Sequence, residues 1–190
     1  RRITFAAVAD VANHGAALPE DRSLEPGLEA SVFYDPTDTN DPQAMHLVVV
    51  IVDPDTGVIT VRDYYTSDDC GVVINPMIVE GQVHGGLAQG IGQAMLEHVV
   101  YDEDGQLVSG SFMDYAMPRA DDLPSYQLTF IETPAPSNPL GVKGGSESGS
   151  IGAPAAIGNA VVDALWHLGV RHIQLPLTPQ RVWRAIRDAN

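Results

Sequence analysis

One segment restricts the fold more than any other, because residues 77–98 have helical character yet contain several glycines. Each glycine in a helix interior costs about 1 kcal/mol relative to alanine. The glycines of this segment are Gly81, Gly85, Gly86, Gly90 and Gly92. The helix therefore persists only if close packing against a neighbour offsets this cost, or if part of the segment is not regular helix.

Three glutamines follow one face of the same segment, because Gln82, Gln89 and Gln93 lie at positions i, i+7 and i+11. A row of amides beside a glycine-lined surface can hydrogen-bond a polar ligand. The same pattern is typical of a tightly packed core helix with a polar outer stripe. Both interpretations stay open at this point.

Hydrophobic spacing predicts the other helices. Apolar residues recur at helical intervals from Ile157 to Leu168, with Pro154 in the first turn and Gly169 at the exit. A second helix covers 4–13, with Thr4 as its cap. The last predicted helix starts at Thr178-Pro179. Three of its side chains are expected to face the core: Val182, Trp183 and Ile186.

Short apolar runs bounded by turn residues predict strands. The strongest signal is a hairpin whose turn, residues 54–57, ends in glycine. The predicted strands are 28–34, 45–53, 58–65, 106–116, 125–132 and 172–175, with loops over 16–27 and 133–152. This order of helices and strands predicts an α+β fold with mixed sheets flanked by helices.

Charge and cysteine content exclude several classes of function. The formal net charge is −15, which argues against a nucleic-acid partner. Cys70 is the single cysteine, so this chain forms no internal disulfide and holds no iron–sulfur cluster, which normally takes four thiolates. No apolar run reaches the roughly 18 residues of a membrane span. We expect a cytoplasmic protein without a transmembrane segment.

Residues 141–150, with sequence GVKGGSESGS, stand directly before the clearest helix. Glycines let backbone N–H groups approach a ligand, a helix N-terminus adds unpaired donors, and Lys143 adds positive charge. These features suit an anion such as a phosphate, although the pattern is not a P-loop. A flexible surface loop fits the composition equally well.

Glu147 lies within this loop. A carboxylate near a helix N-terminus is normally ionised, so it could act as a base. An ordinary solvated glutamate is the alternative. Among the six histidines no pair has the spacing of a zinc motif, and His84 is the one on the glycine-rich helix.

Three ordered segments carry a resemblance to a known family. They are GVVINPMIVEGQVHGGLAQGIGQAMLEHVVYDEDGQLVSGSFMDYAMPRADDLP, GVKGGSESGSIGAPAAIGNAVVDAL and LPLTPQRVWRAI. Together they closely resemble the end of the molybdopterin-binding large subunit of the xanthine oxidase family, of the carbon monoxide dehydrogenase and aldehyde oxidase type. On this resemblance, residues 1–190 are the C-terminal portion of a molybdenum cofactor-binding domain, with room for a small subdivision near 65–75.

The resemblance also implies a site. Glu147 is expected to be the catalytic base adjacent to molybdenum, and no residue of this chain is expected to ligate the metal directly. The implied cofactor contacts are Gln82, Lys143, Gly144, Gly145, Ser146 and Asn75. The implied cofactor is molybdenum–molybdopterin cytosine dinucleotide, shared with an upstream segment or a partner chain.

In the implied reaction a small-molecule substrate, which is carbon monoxide, an aldehyde or an N-heterocycle, is oxidised with water-derived oxygen. Electrons would leave through [2Fe-2S] clusters and FAD on partner subunits. The expected partners are the remaining molybdopterin-binding chain, an iron–sulfur subunit and an FAD subunit. A split subunit, a cleavage product and a fragment all fit the length. A non-catalytic assembly subunit and a free-standing phosphate-binding module are the alternative functions.

Overall fold

The computed structural model describes residues 2–14, 26–35 and 38–189. The chain divides into two compact units, Arg1–Pro36 and Thr37–Asn190. The assignment of residues 1–190 to one domain portion, with a subdivision near 65–75, stays a prediction.

The first unit contains helix α1 (Phe5–His14). The N–H of Ala7 donates a hydrogen bond to Oγ1 of Thr4 at 3.2 Å, so the predicted helix and its cap are confirmed. The predicted strand at 28–34 is wrong, because these residues are exposed and form no strand. Most of the loop predicted at 16–27 falls outside the described residues.

The second unit is built on a three-stranded mixed sheet in the order β1-β2-β3. Strands β1 (Gln43–Val52) and β2 (Ile59–Asp69) form an antiparallel hairpin, with a register shift between Val49 and Val50. Strand β3 (Tyr126–Phe130) pairs with β2 in parallel. These findings confirm the predicted hairpin, the strand predicted at 125–132 and the α+β class.

Three helices complete this unit: α2 (Pro76–Met95), α3 (Ser148–Leu165) and α4 (Pro179–Ala189). Helix α2 begins after Asn75, whose side chain accepts a hydrogen bond from the N–H of Ile78. One continuous apolar core joins these helices to the sheet. Its fully buried side chains include Tyr64, Val83, Leu87, Ile91, Ile157, Val161, Leu177 and Val182.

Several predicted elements are corrected. Residues 106–116 form turns and one isolated bridge, Tyr101↔Leu107, instead of a strand, because most of the segment's side chains are exposed. Residues 172–175 form no strand and pair with no described strand. Helix α3 starts at Ser148, so Pro154 lies inside the helix rather than in its first turn, and the loop predicted at 133–152 ends earlier.

The last helix is confirmed, with one difference. Val182 and Ile186 are buried as expected, whereas Trp183 keeps 36% of its surface exposed. The guanidinium of Arg187 lies 5.1 Å from the centre of the Trp183 ring. Trp183 therefore packs at the edge of the core, beneath a cation, instead of inside it.

Candidate functional site

Helices α2 and α3 approach each other through small residues. A Cβ on Gly90 would lie 2.6 Å from Cβ of Ala153, and a Cβ on Gly149 would lie 2.8 Å from the carbonyl oxygen of Val83. Contacts this short exist only because the side chains are absent. Close packing therefore accounts for glycines such as Gly86 and Gly90, and it sets the start of α3 beside the middle of α2.

The loop before α3 is tied down by backbone and side-chain bonds. The N–H of Lys143 donates to the carbonyl of Cys70 at 2.9 Å, and Val142 forms an antiparallel bridge with Gly71. The Asn138 side chain donates to the carbonyl of Val142 at 2.9 Å and accepts from its N–H at 3.1 Å. These bonds argue against a flexible surface loop.

The charge of Lys143 has a partner inside the protein. Its Nζ lies 3.0 Å from Oδ2 of Asp69, and the two side chains retain only 12% and 13% of their exposure. Oδ1 of Asp69 accepts from the N–H groups of Gly71 at 2.9 Å and Thr133 at 3.1 Å. The cation predicted to meet an anionic ligand is thus already balanced by a carboxylate.

A cleft of about 380 Å³ opens between the start of α2 and this loop. Five predicted contact residues line it: Asn75, Gln82, Lys143, Gly145 and Ser146. The other lining residues are Cys70, Val72, Ile74, Ile78, Val79 and Val142. Residues separated by as much as 71 positions therefore converge on one surface, although their role as cofactor contacts stays a prediction.

Two predicted residues do not line this cleft. The N–H of Gly144 donates to the carbonyl of Asn40 at 3.3 Å. Glu147 directly follows Ser146, which does line the cleft, and stands at the N-cap position of α3. Its exposed carboxylate makes no capping bond and no ion pair with the described residues. It is therefore open to solvent.

Sequence reasoning missed Asp69 and the apolar wall of the cleft. Asn75, Ile78, Val79 and Gln82 lie at i, i+3, i+4 and i+7, so helical spacing could have placed them on one face. Nothing in the local sequence of Asp69 pointed to Lys143.

Burial raises the pKa of the Cys70 thiol, and nearby carboxylates such as Asp69 add to the effect, so this thiol is protonated at neutral pH.

A buried polar cluster lies beneath the helices. Nδ1 of His46 is 2.8 Å from the hydroxyl of Tyr64, and Thr66 donates a short hydrogen bond to Asp68. His84 packs edge-on against Tyr126, with 5.2 Å between ring centroids, so its contact is a packing contact outside the cleft. This cluster braces the sheet against α3.

Within residues 2–14, 26–35 and 38–189, no group of three or more His, Cys, Asp or Glu side chains is arranged to hold a metal ion. No helix in the same ranges combines the length and the apolar character that a membrane crossing needs.

Comparisons with known proteins agree with this geometry. Residues 1–124 match the family described as "Molybdopterin cofactor-binding domain". The chain is 42% identical over 186 residues to the carbon monoxide dehydrogenase large chain of Hydrogenophaga pseudoflava, covering 98% of this chain and 23% of that protein. It is 45% identical to the nicotine 6-hydroxylase large subunit of Paenarthrobacter nicotinovorans, over 86% of this chain and 20% of that protein.

Among solved structures, quinoline 2-oxidoreductase from Pseudomonas putida 86 matches with a TM-score of 0.90 and 44% identity. The match covers 98% of this chain and 24% of that one. The chain therefore spans about a quarter of the length of these relatives. The family match ends before the 141–147 loop, whereas the relatives extend the similarity across it.

Proposed function

The chain belongs to the molybdopterin cofactor-binding domain family, within the xanthine oxidase group of large subunits, and from this premise we propose that it forms part of the active site of a molybdenum hydroxylase. The observation that carries the proposal is the convergence of Asn75, Gln82, Lys143, Gly145 and Ser146 on one cleft. Glu147 stands at the end of the same loop.

The walls of the cleft suit a flat heterocycle with hydrogen-bonding edges. Ile74, Ile78 and Val79 form an apolar surface, while Gln82 and Ser146 add an amide and a hydroxyl. The amide oxygen of Asn75 is occupied by the N–H of Ile78, so its NH₂ group remains for a ligand. This donor set fits the tricyclic ring system of molybdopterin.

The anionic part of the cofactor would rely on backbone donors. Helix α3 has no side-chain cap, and we propose its first N–H groups as donors to an oxyanion. Lys143 adds little net charge, because Asp69 balances it. We assign the loop 143–146 to the cofactor, in the cytosine dinucleotide form expected from the bacterial resemblance.

Glu147 is assigned the role of general base. Its carboxylate is exposed, lies at the positive end of the α3 dipole and has no competing partner among the described residues. In this role a carboxylate oxygen of Glu147 accepts a proton from a water-derived nucleophile. Molybdenum, when bound, supplies the acceptor for the two electrons that the substrate loses.

The names of the relatives support a proposal for the substrate class and the partners. Their names indicate carbon monoxide and an N-heterocycle as substrates, and the term large chain or large subunit indicates assembly with other subunits. We propose the same substrate classes here, with aldehydes as a third. The remainder of the molybdopterin-binding chain completes the site, and partner subunits carry [2Fe-2S] clusters and FAD.

The test uses the purified native complex with Glu147→Gln. We expect molybdenum content to stay at the wild-type level while turnover falls about 100-fold or more. Glu103→Gln, an exposed glutamate in the 102–105 turn, is the matched control and should leave both unchanged. Full turnover in Glu147→Gln would refute the assignment of Glu147 as the base. A complete complex without molybdenum would refute the proposed molybdenum cofactor.

A second pair of variants separates this function from a non-catalytic assembly role. Gln82→Ala should lower cofactor retention, since Gln82 lines the cleft, whereas Gln89→Ala on the same helix should not. If the chain serves only in assembly, neither variant changes the molybdenum content of the complex.

A further inference from the structure

Residues 166–189 carry more positive than negative side chains, whereas the chain as a whole is acidic. Of the ten lysines and arginines in this chain of net charge −15, four lie between residues 166 and 189, with Asp188 as the one acidic residue there. They are Arg171, Arg181, Arg184 and Arg187. A local excess of positive charge on an acidic protein repels itself and attracts anionic groups.

None of these arginines forms an ion pair with a described carboxylate. Instead, neutral groups hold two of them in place. Nη1 of Arg171 donates to the carbonyl of Trp166 at 2.7 Å, and its guanidinium lies 3.8 Å from the Trp166 ring centre. Nη1 of Arg181 donates to the carbonyl of Leu175 at 2.6 Å. Neutral partners therefore orient both guanidinium groups, and neither forms an ion pair with a described carboxylate.

Three of the four arginines line one shallow pocket of about 530 Å³. We call it the arginine groove; its polar lining is Arg171, His172, Gln174, Arg181, Arg184 and Asp188. It shares no lining residue with the cleft described above. An inorganic anion would fill little of this volume, since a water molecule occupies about 30 Å³ in the liquid.

One wall of the groove, residues 171–174, forms no strand with any residue that the structure describes. In residues 171–175 the side chains of Ile173 and Leu175 are half-buried, whereas those of Arg171, His172 and Gln174 are exposed. Residues 171–174 make no backbone–backbone hydrogen bond with any residue that the structure describes. This alternation is typical of a β-strand with one face buried, and an unpaired strand can add a strand from another chain.

We infer that the arginine groove docks an extended, acidic segment of another polypeptide. Carboxylates of that segment would form ion pairs with Arg171, Arg181 and Arg184. The planar guanidinium group can donate two parallel hydrogen bonds to one carboxylate. Its main chain would pair with residues 171–174. The positive charge of the arginine groove and the backbone of residues 171–174, which pairs with no described residue, support this docking. Neither observation depends on the molybdenum role.

The test places a photoactivatable benzophenone amino acid at Gln174 in the full complex, with the same group at Asp104 in an exposed turn as control. Irradiation followed by mass spectrometry should give, from Gln174 alone, a cross-link to an acidic peptide of another polypeptide. A cross-link to a peptide without carboxylates, or no cross-link at all, would overturn the inference.

Charge reversal provides a second arm. Arg184→Glu should lower the cross-linking yield about tenfold, because like charges then face each other, and Arg184→Gln should lower it less. Arg62→Glu, at an exposed pair on β2, is the control and should leave the yield unchanged. Arg184 is exposed, so thermal unfolding should show that each variant is folded. A yield insensitive to Arg184→Glu would contradict the docking of an acidic segment.

Discussion

Nζ of Lys143 lies 3.0 Å from Oδ2 of Asp69, across 74 residues of sequence. Through this ion pair the end of β2 holds the loop that leads to Glu147. Asp69 also accepts hydrogen bonds from Gly71 and Thr133, so one carboxylate joins three segments of the chain. Lys143 is thus oriented by the protein before any ligand binds.

Removing this carboxylate should destabilise the fold. Asp69→Asn leaves the Lys143 cation largely buried without a counter-charge, and we expect the free energy of unfolding to fall by about 3 kcal/mol. Chemical denaturation measures it. Asp63→Asn is the control, because its ion pair with Arg62 is more exposed and should contribute less than about 1 kcal/mol. An equal loss of unfolding free energy in the two variants would show that the buried ion pair stabilises the fold no more than the exposed one.

The same carboxylate should make stability depend on acid pH. Burial raises the pKa of Asp69, but hydrogen bonds from Thr133, Gly71 and Lys143 outweigh it and hold the pKa well below the ordinary 3.8. A depressed pKa in the folded state stabilises the fold above the ordinary value, and this stabilisation is lost as pH falls further.

We therefore expect the stability difference between wild type and Asp69→Asn to be constant above about pH 5 and to shrink below about pH 4. Urea denaturation across this range checks it. A difference that widens as pH falls would contradict the assigned direction of the pKa shift.

Two glycines of α2 should respond oppositely to alanine. A Cβ at position 90 would meet Ala153 at 2.6 Å, so Gly90→Ala should destabilise the protein by about 1–3 kcal/mol through overpacking. A Cβ at position 85 meets nothing within 4 Å, so Gly85→Ala should stabilise the helix by up to about 1 kcal/mol. Thermal unfolding of the two variants compares them directly, and similar melting temperatures would argue against the close helix contact.

His46 should produce a pH dependence near neutrality. Burial lowers the pKa of its imidazole below 6.5, although Asp68 partly opposes the shift. The folded state then resists a proton that the unfolded state accepts, so stability falls as pH drops below about 6.5. His46→Gln should flatten the melting-temperature profile in this range, and His167→Gln, at an exposed histidine, should not. A profile that stays steep in His46→Gln would point to another group.

Local sequence patterns were sufficient for much of the architecture. Helical spacing identified α2, α3 and α4, a glycine-terminated turn identified the β1–β2 hairpin, and Thr4 marked the start of α1. Sequence patterns predicted strands wrongly where the burial of the segment determines whether a strand forms. Residues 28–34 and 106–116 contain apolar side chains like those of strands, but most of these side chains are exposed and neither segment forms a strand. Residues 172–175 have strand-like alternation but no described partner.

The sequence by itself also predicted that α2, if it is a regular helix, needs a close neighbour, and the family resemblance made Gln82 and the 143–147 loop the candidates for a site. Only the tertiary structure decided that α3 is that neighbour, that Asp69 balances Lys143 and that the cleft joins Asn75 to Ser146. The physical reason is range. Helix propensity, caps and turns depend on residues a few positions apart, whereas an ion pair or a helix crossing depends on which distant segments the whole fold brings together.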